Sequence, residues 1–220
     1  MHKYAETVSE VKNGMRRIGL MGGSFNPIHL AHVNLARAAL EGGHVDEVLF
    51  LPTGNPPHKR EGLVDKEDRY AMTCLAIAGE QNMRASRVEI DREGMIYTVD
   101  TVGLLRKQMP DCAFTYLIGA DTVFQLHTWK RIDTLITLCT FLVCMRPGED
   151  AQAAREEAQR WRERGADIRF MDAELMAVSS TEVRERLCKG LAADDLLPPA
   201  VAAYIREHGL YRAKAPGDET

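Results

Sequence analysis

The sequence predicts an α/β fold, a doubly wound (Rossmann-like), mostly parallel sheet with helices on both faces and a small C-terminal helical part. Three observations carry that reading. Short β-branched or aliphatic runs alternate with longer segments of helical period, as in βα units whose strands are buried on both faces. Three of the runs end in loops that bear Gly with polar or charged residues, where open parallel sheets bind ligands. The chain has 220 residues and no repeat at a fixed period, a length that one α/β core accommodates.

In chain order, residues 1–15 form a polar lead-in, and a first strand is predicted over Arg17–Met21. The Gly22-Gly23 turn hands over to a helix with apolar positions Leu30, Val33, Ala36 and Leu40, stopped at Glu41-Gly42-Gly43. Glu47–Pro52 reads as the second strand, and it opens into Thr53-Gly54-Asn55-Pro56-Pro57-His58-Lys59, where Gly and Pro forbid regular structure. Asp65 caps a helix running to about Gly79, and a short strand is expected around Val88-Glu89-Ile90. Tyr97–Met109 is a helix ended by Pro110, and Ala113–Ile118 a strand that breaks at Gly119 before Ala120-Asp121. Phe141–Cys144 is the next strand, Asp150–Arg164 a charged amphipathic helix and Asp167–Met171 a last short strand. Ser179–Cys188 and Pro199–His208 are terminal helices, so residues 16–212 form one domain ahead of a polar tail, 213–220.

Composition narrows the function. The chain is 45% hydrophobic and 27% charged with a mean hydropathy of −0.26, as in ordinary globular proteins. A net charge of −4 leaves no global positive field to hold a polyanion, which argues against nucleic acid as a partner and for a small ligand held locally. The five cysteines are scattered, lack a Cys-x-x-Cys pair and read as buried, reduced thiols. Without a signal-peptide pattern or an apolar run of membrane-spanning length, the expectation is a cytoplasmic protein with no membrane partner. A homo-oligomer is compatible with the sequence.

Gly22-Gly23-Ser24 follows the first strand directly, and glycine lets backbone amides approach a phosphate without a Cβ in the way. A tight βα turn accounts for the same residues. Neither Gly-x-Gly-x-x-Gly nor Gly-Lys-Ser/Thr is present, so the dinucleotide fingerprint and the P-loop are both excluded. His29 and His32, three apart at a helix start, project from one face beside amides and the positive dipole end. That pair suits a phosphate chain, donating hydrogen bonds to oxygens whose charge grows as a bond to pyrophosphate breaks; zinc would need further ligands. Near the far end, Val178-Ser179-Ser180-Thr181-Glu182-Val183-Arg184 makes a second anion site, with a capping hydroxyl and a cation one turn later. A capping box through Glu182 is compatible with it.

Gly-Gly-Ser-Phe-Asn-Pro-Ile-His-Leu-Ala-His with the distal Ser-Ser-Thr-Glu-Val-Arg resembles the nucleotidyltransferase superfamily, whose paired motifs are of His-x-Gly-His and Ile-Ser-Ser-Thr-x-x-Arg type. Leu-Pro-Thr-Gly-Asn-Pro-Pro-His-Lys, Tyr97-Thr98-Val99-Asp100-Thr101, Gly119-Ala120-Asp121, Trp129 and the stretch from Tyr204 to Tyr211 further resemble the bacterial nicotinate mononucleotide adenylyltransferases. The resemblance implies a transferase of NAD biosynthesis that takes ATP and nicotinate mononucleotide to nicotinate adenine dinucleotide and pyrophosphate, with no covalent intermediate. It implies His29, His32 and Arg184 as catalytic, and Gly22, Gly23, Ser24, Phe25, Gly119, Asp121, Ser179, Ser180 and Thr181 as ATP-binding. The acceptor falls to Asn55, Lys59, Thr98 and Trp129. Mg²⁺ arrives with ATP, held by phosphate oxygens and water rather than by a protein metal site. Ala31 departs from the motif, which has Gly before its second histidine, and adds a methyl where adenine would approach. The alternatives are a sibling enzyme acting on nicotinamide mononucleotide or phosphopantetheine, and a nucleotide sensor without turnover.

Overall fold

A computed structural model of the chain describes residues 14–55, 62–145, 149–171, 176 and 178–212. The predicted lead-in, the tail beyond residue 212 and Lys59 therefore lie outside the described residues, apart from Gly14 and Met15. Six parallel strands, β1 (Arg16–Gly23), β2 (Glu47–Pro52), β3 (Met83–Ala85), β4 (Cys112–Gly119), β5 (Thr140–Cys144) and β6 (Ile168–Met171), form one sheet in the order β3-β2-β1-β4-β5-β6. The order reverses between β1 and β4, so the crevice for a ligand opens at the carboxyl ends of those two strands.

Alternation along the strands builds a core on each face. Met21, Val48, Phe50, Leu117, Leu142 and Cys144 enter one cluster, which is covered by α1 (Leu30–Glu41), α2 (Lys66–Ile77), α7 (Ser180–Cys188) and α8 (Pro199–Glu207). Ile18, Leu20, Leu49, Leu51, Phe114, Tyr116, Ile118, Phe141 and Val143 enter the other, under α3 (Thr98–Gln108), α4 (Ala120–Val123), α5 (Ile132–Leu135) and α6 (Ala151–Glu163). The predicted doubly wound architecture is thus the observed one.

The helix starts follow their caps. Asp65 accepts from the Glu67 amide, Asp150 from those of Gln152 and Ala153, and Ser179 from that of Glu182. Two expectations are corrected. Val88-Glu89-Ile90 is a turn, and the edge strand lies earlier, at Met83–Ala85. Cys139 and Cys144 are buried as expected, whereas Cys74 and Cys112 are half-buried and Cys188 is exposed; none of the five is in a disulfide. Among the described residues no helix is long and apolar enough to cross a membrane.

Candidate active site

The loop between β1 and α1 is the floor of the crevice, and aromatic packing shapes it. A Cβ on Gly22 would overlap the Tyr116 hydroxyl, and one on Gly23 would press on the Phe25 ring at 3.2 Å. The two glycines therefore admit rings, a tighter demand than the phosphate approach read from the sequence. Phe25 has a φ of 46°, in the left-handed region, and its buried ring lies edge-on to His32 at 5.1 Å and tilted on Phe50 at 5.9 Å. Burial of that ring offsets the backbone strain.

His29 occupies the N-cap of α1 and His32 the third helical position, with their rings stacked at 3.8 Å. The His29 amide donates to His32 Nδ1 at 3.2 Å, so a neutral His32 carries its proton on Nε2. His29 is buried and His32 half-buried. Two of the amides expected beside them are engaged within the protein. The Leu30 amide donates to the Leu196 carbonyl at 2.9 Å and the His32 amide to the His29 carbonyl at 3.0 Å. Ala31 is buried in the core cluster beneath, so its methyl packs into the protein.

Asn26 ties three distant segments to this loop. Its buried side chain donates to the Gly62 carbonyl at 3.0 Å, and its Oδ1 accepts from the Val64 amide at 3.3 Å and the Tyr211 hydroxyl at 2.8 Å. Its carbonyl accepts from Arg184 at 2.8 Å, and the next carbonyl, across the cis Asn26–Pro27 bond, accepts from the Ser180 hydroxyl at 2.9 Å. The distal motif is thereby docked onto the first one, more than 150 residues away in the chain. Arg184 also donates to the Thr181 hydroxyl at 3.1 Å. Two of its five donors are engaged in these two bonds, and the fork points from α7 to the loop that carries the histidines. Ser179 caps α7, while the Glu182 carboxylate meets Arg186 at 2.8 Å instead of tying back the first turn.

Beneath the loop lies a cation that sequence reasoning missed. Arg69 is fully buried on α2 and donates to the carbonyls of Val64 at 3.1 Å, Ser24 at 2.8 Å and Gly54 at 3.1 Å. Burial lowers its pKa and the charges of Tyr211 and Asp65 oppose that, but a guanidinium stays protonated. Burial likewise pushes the Tyr211 phenol far up, against the opposing charges of Arg184 and Arg69. A charged residue on an amphipathic helix ordinarily reads as a solvated one, so the sequence carried no signal for Arg69; Asn26 had one, its place inside the first motif.

The other side of the crevice is formed by α3 and the segment after β4. Thr98 is the first helical residue of α3, where the helix itself supplies no acceptor for the amide. Trp129, half-buried behind a 3₁₀ turn at Leu126–Thr128, meets the Tyr116 ring edge-on at 5.5 Å and the Phe141 ring at 6.4 Å. Gly119 ends β4 as the N-cap of α4, and the exposed Asp121 accepts from the Thr122 amide at 2.9 Å. Asn55 is exposed in the loop after β2. The structure thus joins the residues predicted from β1, α1 and α7 and links Trp129 to Gly22 through Tyr116, while Gly119 and Asp121 stand at the end of β4 and Asn55 after β2. Among the described residues no three His, Cys, Asp or Glu side chains cluster as metal ligands.

Comparison with known proteins agrees with this geometry. Residues 20–186 match the model of the cytidylyltransferase-like family. A Bordetella avium protein named "Probable nicotinate-nucleotide adenylyltransferase" is 42% identical over 198 residues, covering 90% of this chain and 99% of that protein. A Moorella thermoacetica protein of the same name is 40% identical over 204 residues, covering 91% and 94%. In fold, the chain is similar to the Plasmodium falciparum nicotinic acid mononucleotide adenylyltransferase complexed with NaAD, with a TM-score of 0.75 at 19% identity over 89% of this chain and 97% of that one. The paired motifs, their docking at the switch point and this likeness over nine-tenths of its length place the chain in the cytidylyltransferase-like family of nucleotidyltransferases, among the nicotinate-nucleotide adenylyltransferases.

Proposed function

We propose that this chain transfers the adenylyl group of ATP to nicotinate mononucleotide, forming nicotinate adenine dinucleotide and pyrophosphate, as a cytoplasmic step of NAD biosynthesis. The observation that carries the reading is the docking of Ser180 and Arg184 onto the Pro27 and Asn26 carbonyls beside the stacked His29–His32 pair. An acceptor phosphate oxygen attacks the α-phosphorus of ATP in line. The bond to the bridging oxygen breaks, and its electron pair leaves with pyrophosphate. Both reactants are anions, so positioning and charge neutralisation supply the rate and no nucleophilic side chain is required.

The imidazoles of His29 and His32 donate to the phosphates, while Ser179, Ser180, Thr181 and Arg184 take the β and γ end. Gly22, Gly23, Ser24 and Phe25 shape the floor under ATP. Gly119 and Asp121 meet its ribose, and Asn55 with Lys59 the acceptor phosphate. The Thr98 amide at a helix start suits the nicotinate carboxylate, and Trp129 the pyridine ring. Magnesium brought with ATP would take its ligands from phosphate oxygens and water and would help neutralise the charge on the phosphates.

The test is to offer purified protein ATP with nicotinate mononucleotide, nicotinamide mononucleotide or phosphopantetheine and to measure pyrophosphate. Nicotinate mononucleotide should turn over fastest. Equal rates with the two pyridine nucleotides would remove the carboxylate preference, and ATP binding without pyrophosphate from any acceptor would make the chain a nucleotide sensor.

A further inference from the structure

The turn between β3 and α3 carries a buried carboxyl, Glu89, that touches the acceptor side of the crevice from two directions. Its backbone carbonyl packs on Gly54, where a Cβ would come within 2.1 Å of the oxygen. Gly54 is itself buried and immediately precedes Asn55. The Glu89 side chain accepts from the Thr101 hydroxyl at 2.8 Å, and buried Thr101 stands three residues after Thr98, the first residue of α3. Neighbouring groups pin the same turn. Lys66 of α2 donates to the Ile90 carbonyl at 2.6 Å, and Arg92 to the Thr101 hydroxyl at 3.4 Å. The Gly54 carbonyl accepts from Arg69, which also holds the Ser24 carbonyl. An unbroken row of contacts therefore runs from the first loop through Arg69, Gly54 and Glu89 to the first turns of α3.

We propose that Glu89 is a positioning residue that fixes the distance between the two segments holding opposite ends of the acceptor. One is the loop after β2, with Asn55 toward the phosphate; the other is the start of α3, with the Thr98 amide toward the nicotinate carboxylate. This rests on the reading of the site given above and assigns that site one further determinant. A ligand held at both ends binds well only where both ends are met at once, so a displaced α3 weakens the acceptor while ATP, placed on β1, α1 and α7, keeps its contacts. An apolar pair could fill the same space, but a hydroxyl–carboxylate hydrogen bond confines its partners to a range of about half an ångström. A second polar tether of this turn, Asp100 on Arg131, runs toward the Trp129 segment and not toward the loop after β2.

The test is steady-state kinetics with ATP and nicotinate mononucleotide for wild type, Glu89→Leu, Glu89→Gln, Thr101→Val and Glu89→Leu/Thr101→Val. Leucine removes the acceptor and valine the donor, whereas glutamine keeps an acceptor oxygen. We expect KM for nicotinate mononucleotide to rise about fivefold to tenfold in Glu89→Leu and in Thr101→Val, the factor that one lost hydrogen bond supports. KM for ATP and kcat should stay within about twofold. Glu89→Gln should return KM to within about twofold of wild type, and the double variant should match the singles because one bond is removed once. Unchanged KM values, a parallel rise in KM for ATP, a fall in kcat alone, additive effects, or a Glu89→Gln no better than Glu89→Leu would overturn the inference. If Glu89→Leu does not fold, Thr101→Val, which exchanges a hydroxyl for a methyl, carries the test. A wild-type protein that releases no pyrophosphate with nicotinate mononucleotide overturns the reading of the site and this inference with it, whereas normal wild-type turnover with a wild-type-like Thr101→Val overturns this inference alone.

Discussion

At the scale of single residues, the glycines of the first loop behave as packing residues as much as ligand-binding ones. Adding a methyl at Gly22 drives it into a phenol wedged against Trp129 and Phe141, so Gly22→Ala should destabilise the protein by about 1–3 kcal/mol, the usual cost of overpacking. In Gly22→Ala/Tyr116→Phe the overlapping oxygen is gone and the nearest ring carbon lies 3.0 Å from the new methyl. Urea midpoints should recover part of the loss, and a double variant no more stable than Gly22→Ala would refute the packing account. His32 is set by another kind of constraint, the His29 amide on Nδ1. If its Nε2 proton meets the charge that develops on phosphate, His32→Ala should lower turnover by on the order of 10²-fold or more, measured as pyrophosphate release. Wild-type turnover would take it out of the mechanism. Both histidines could be read from their spacing, because three residues is almost one helical turn. The phenol at Gly22 could not, because strand periodicity reveals which face Tyr116 serves and not how far its hydroxyl reaches.

At the scale of elements, the predicted boundaries hold where a cap or a breaker sits in the sequence and fail where the element is short. Asp65, Asp150 and Ser179 each cap the helix expected of them, and Glu47–Pro52 is a strand over the predicted residues. The edge strand went elsewhere. Val88 and Ile90 have β-branched side chains, but their segment turns back with the Asp91 amide on the Arg87 carbonyl at 3.0 Å. Gly54 accommodates the Glu89 carbonyl there, so loop packing overrides strand composition. Met83–Ala85 pairs with β2 alone and has no β-branched residue to announce it. Likewise the four-residue helices α4 and α5 are too short to display a period. The cap of α6 offers a prediction away from the crevice. Asp150→Ala leaves two amides of that helix without their carboxylate, so it should cost about 1 kcal/mol by thermal unfolding with kcat unchanged. Helix α2 offers one within it. Arg69→Met leaves three carbonyl acceptors unmet beneath the loop and should cost about 3 kcal/mol or more, and Arg69→Lys should not restore it, because an ammonium lacks the fork that spans three segments. A Lys variant as stable as wild type would show that charge alone suffices.

At the scale of the whole molecule, stability and charge meet at Glu89. Burial raises the pKa of this carboxyl, against the opposing Thr101 hydrogen bond and the charge of Arg92. The folded state therefore holds a proton that the unfolded chain releases in the ordinary carboxylate range, and stability falls as pH rises through that range up to the folded pKa. Glu89→Gln keeps an acceptor for Thr101 and removes the titration. Its unfolding free energy relative to wild type should increase with pH across that window and level off above it, and a pH-independent difference would contradict the burial account. The sheet order places Glu89, Tyr116, Thr98 and Gly22 near one another although the chain separates them by up to 94 positions. By itself the sequence determined the alternation of strands and helices, the Asp65 cap, the paired motifs and the family, because each is a local pattern of residue type and spacing. Only the tertiary structure decided that Asn26 and Arg69 hold the loop, that the Leu30 and His32 amides are already engaged, that Ala31 faces the core and that a phenol lies against Gly22 and Trp129. Those are matters of which carbonyl, amide or hydroxyl lies within about 3 Å of another, a distance fixed by packing between elements far apart in the chain.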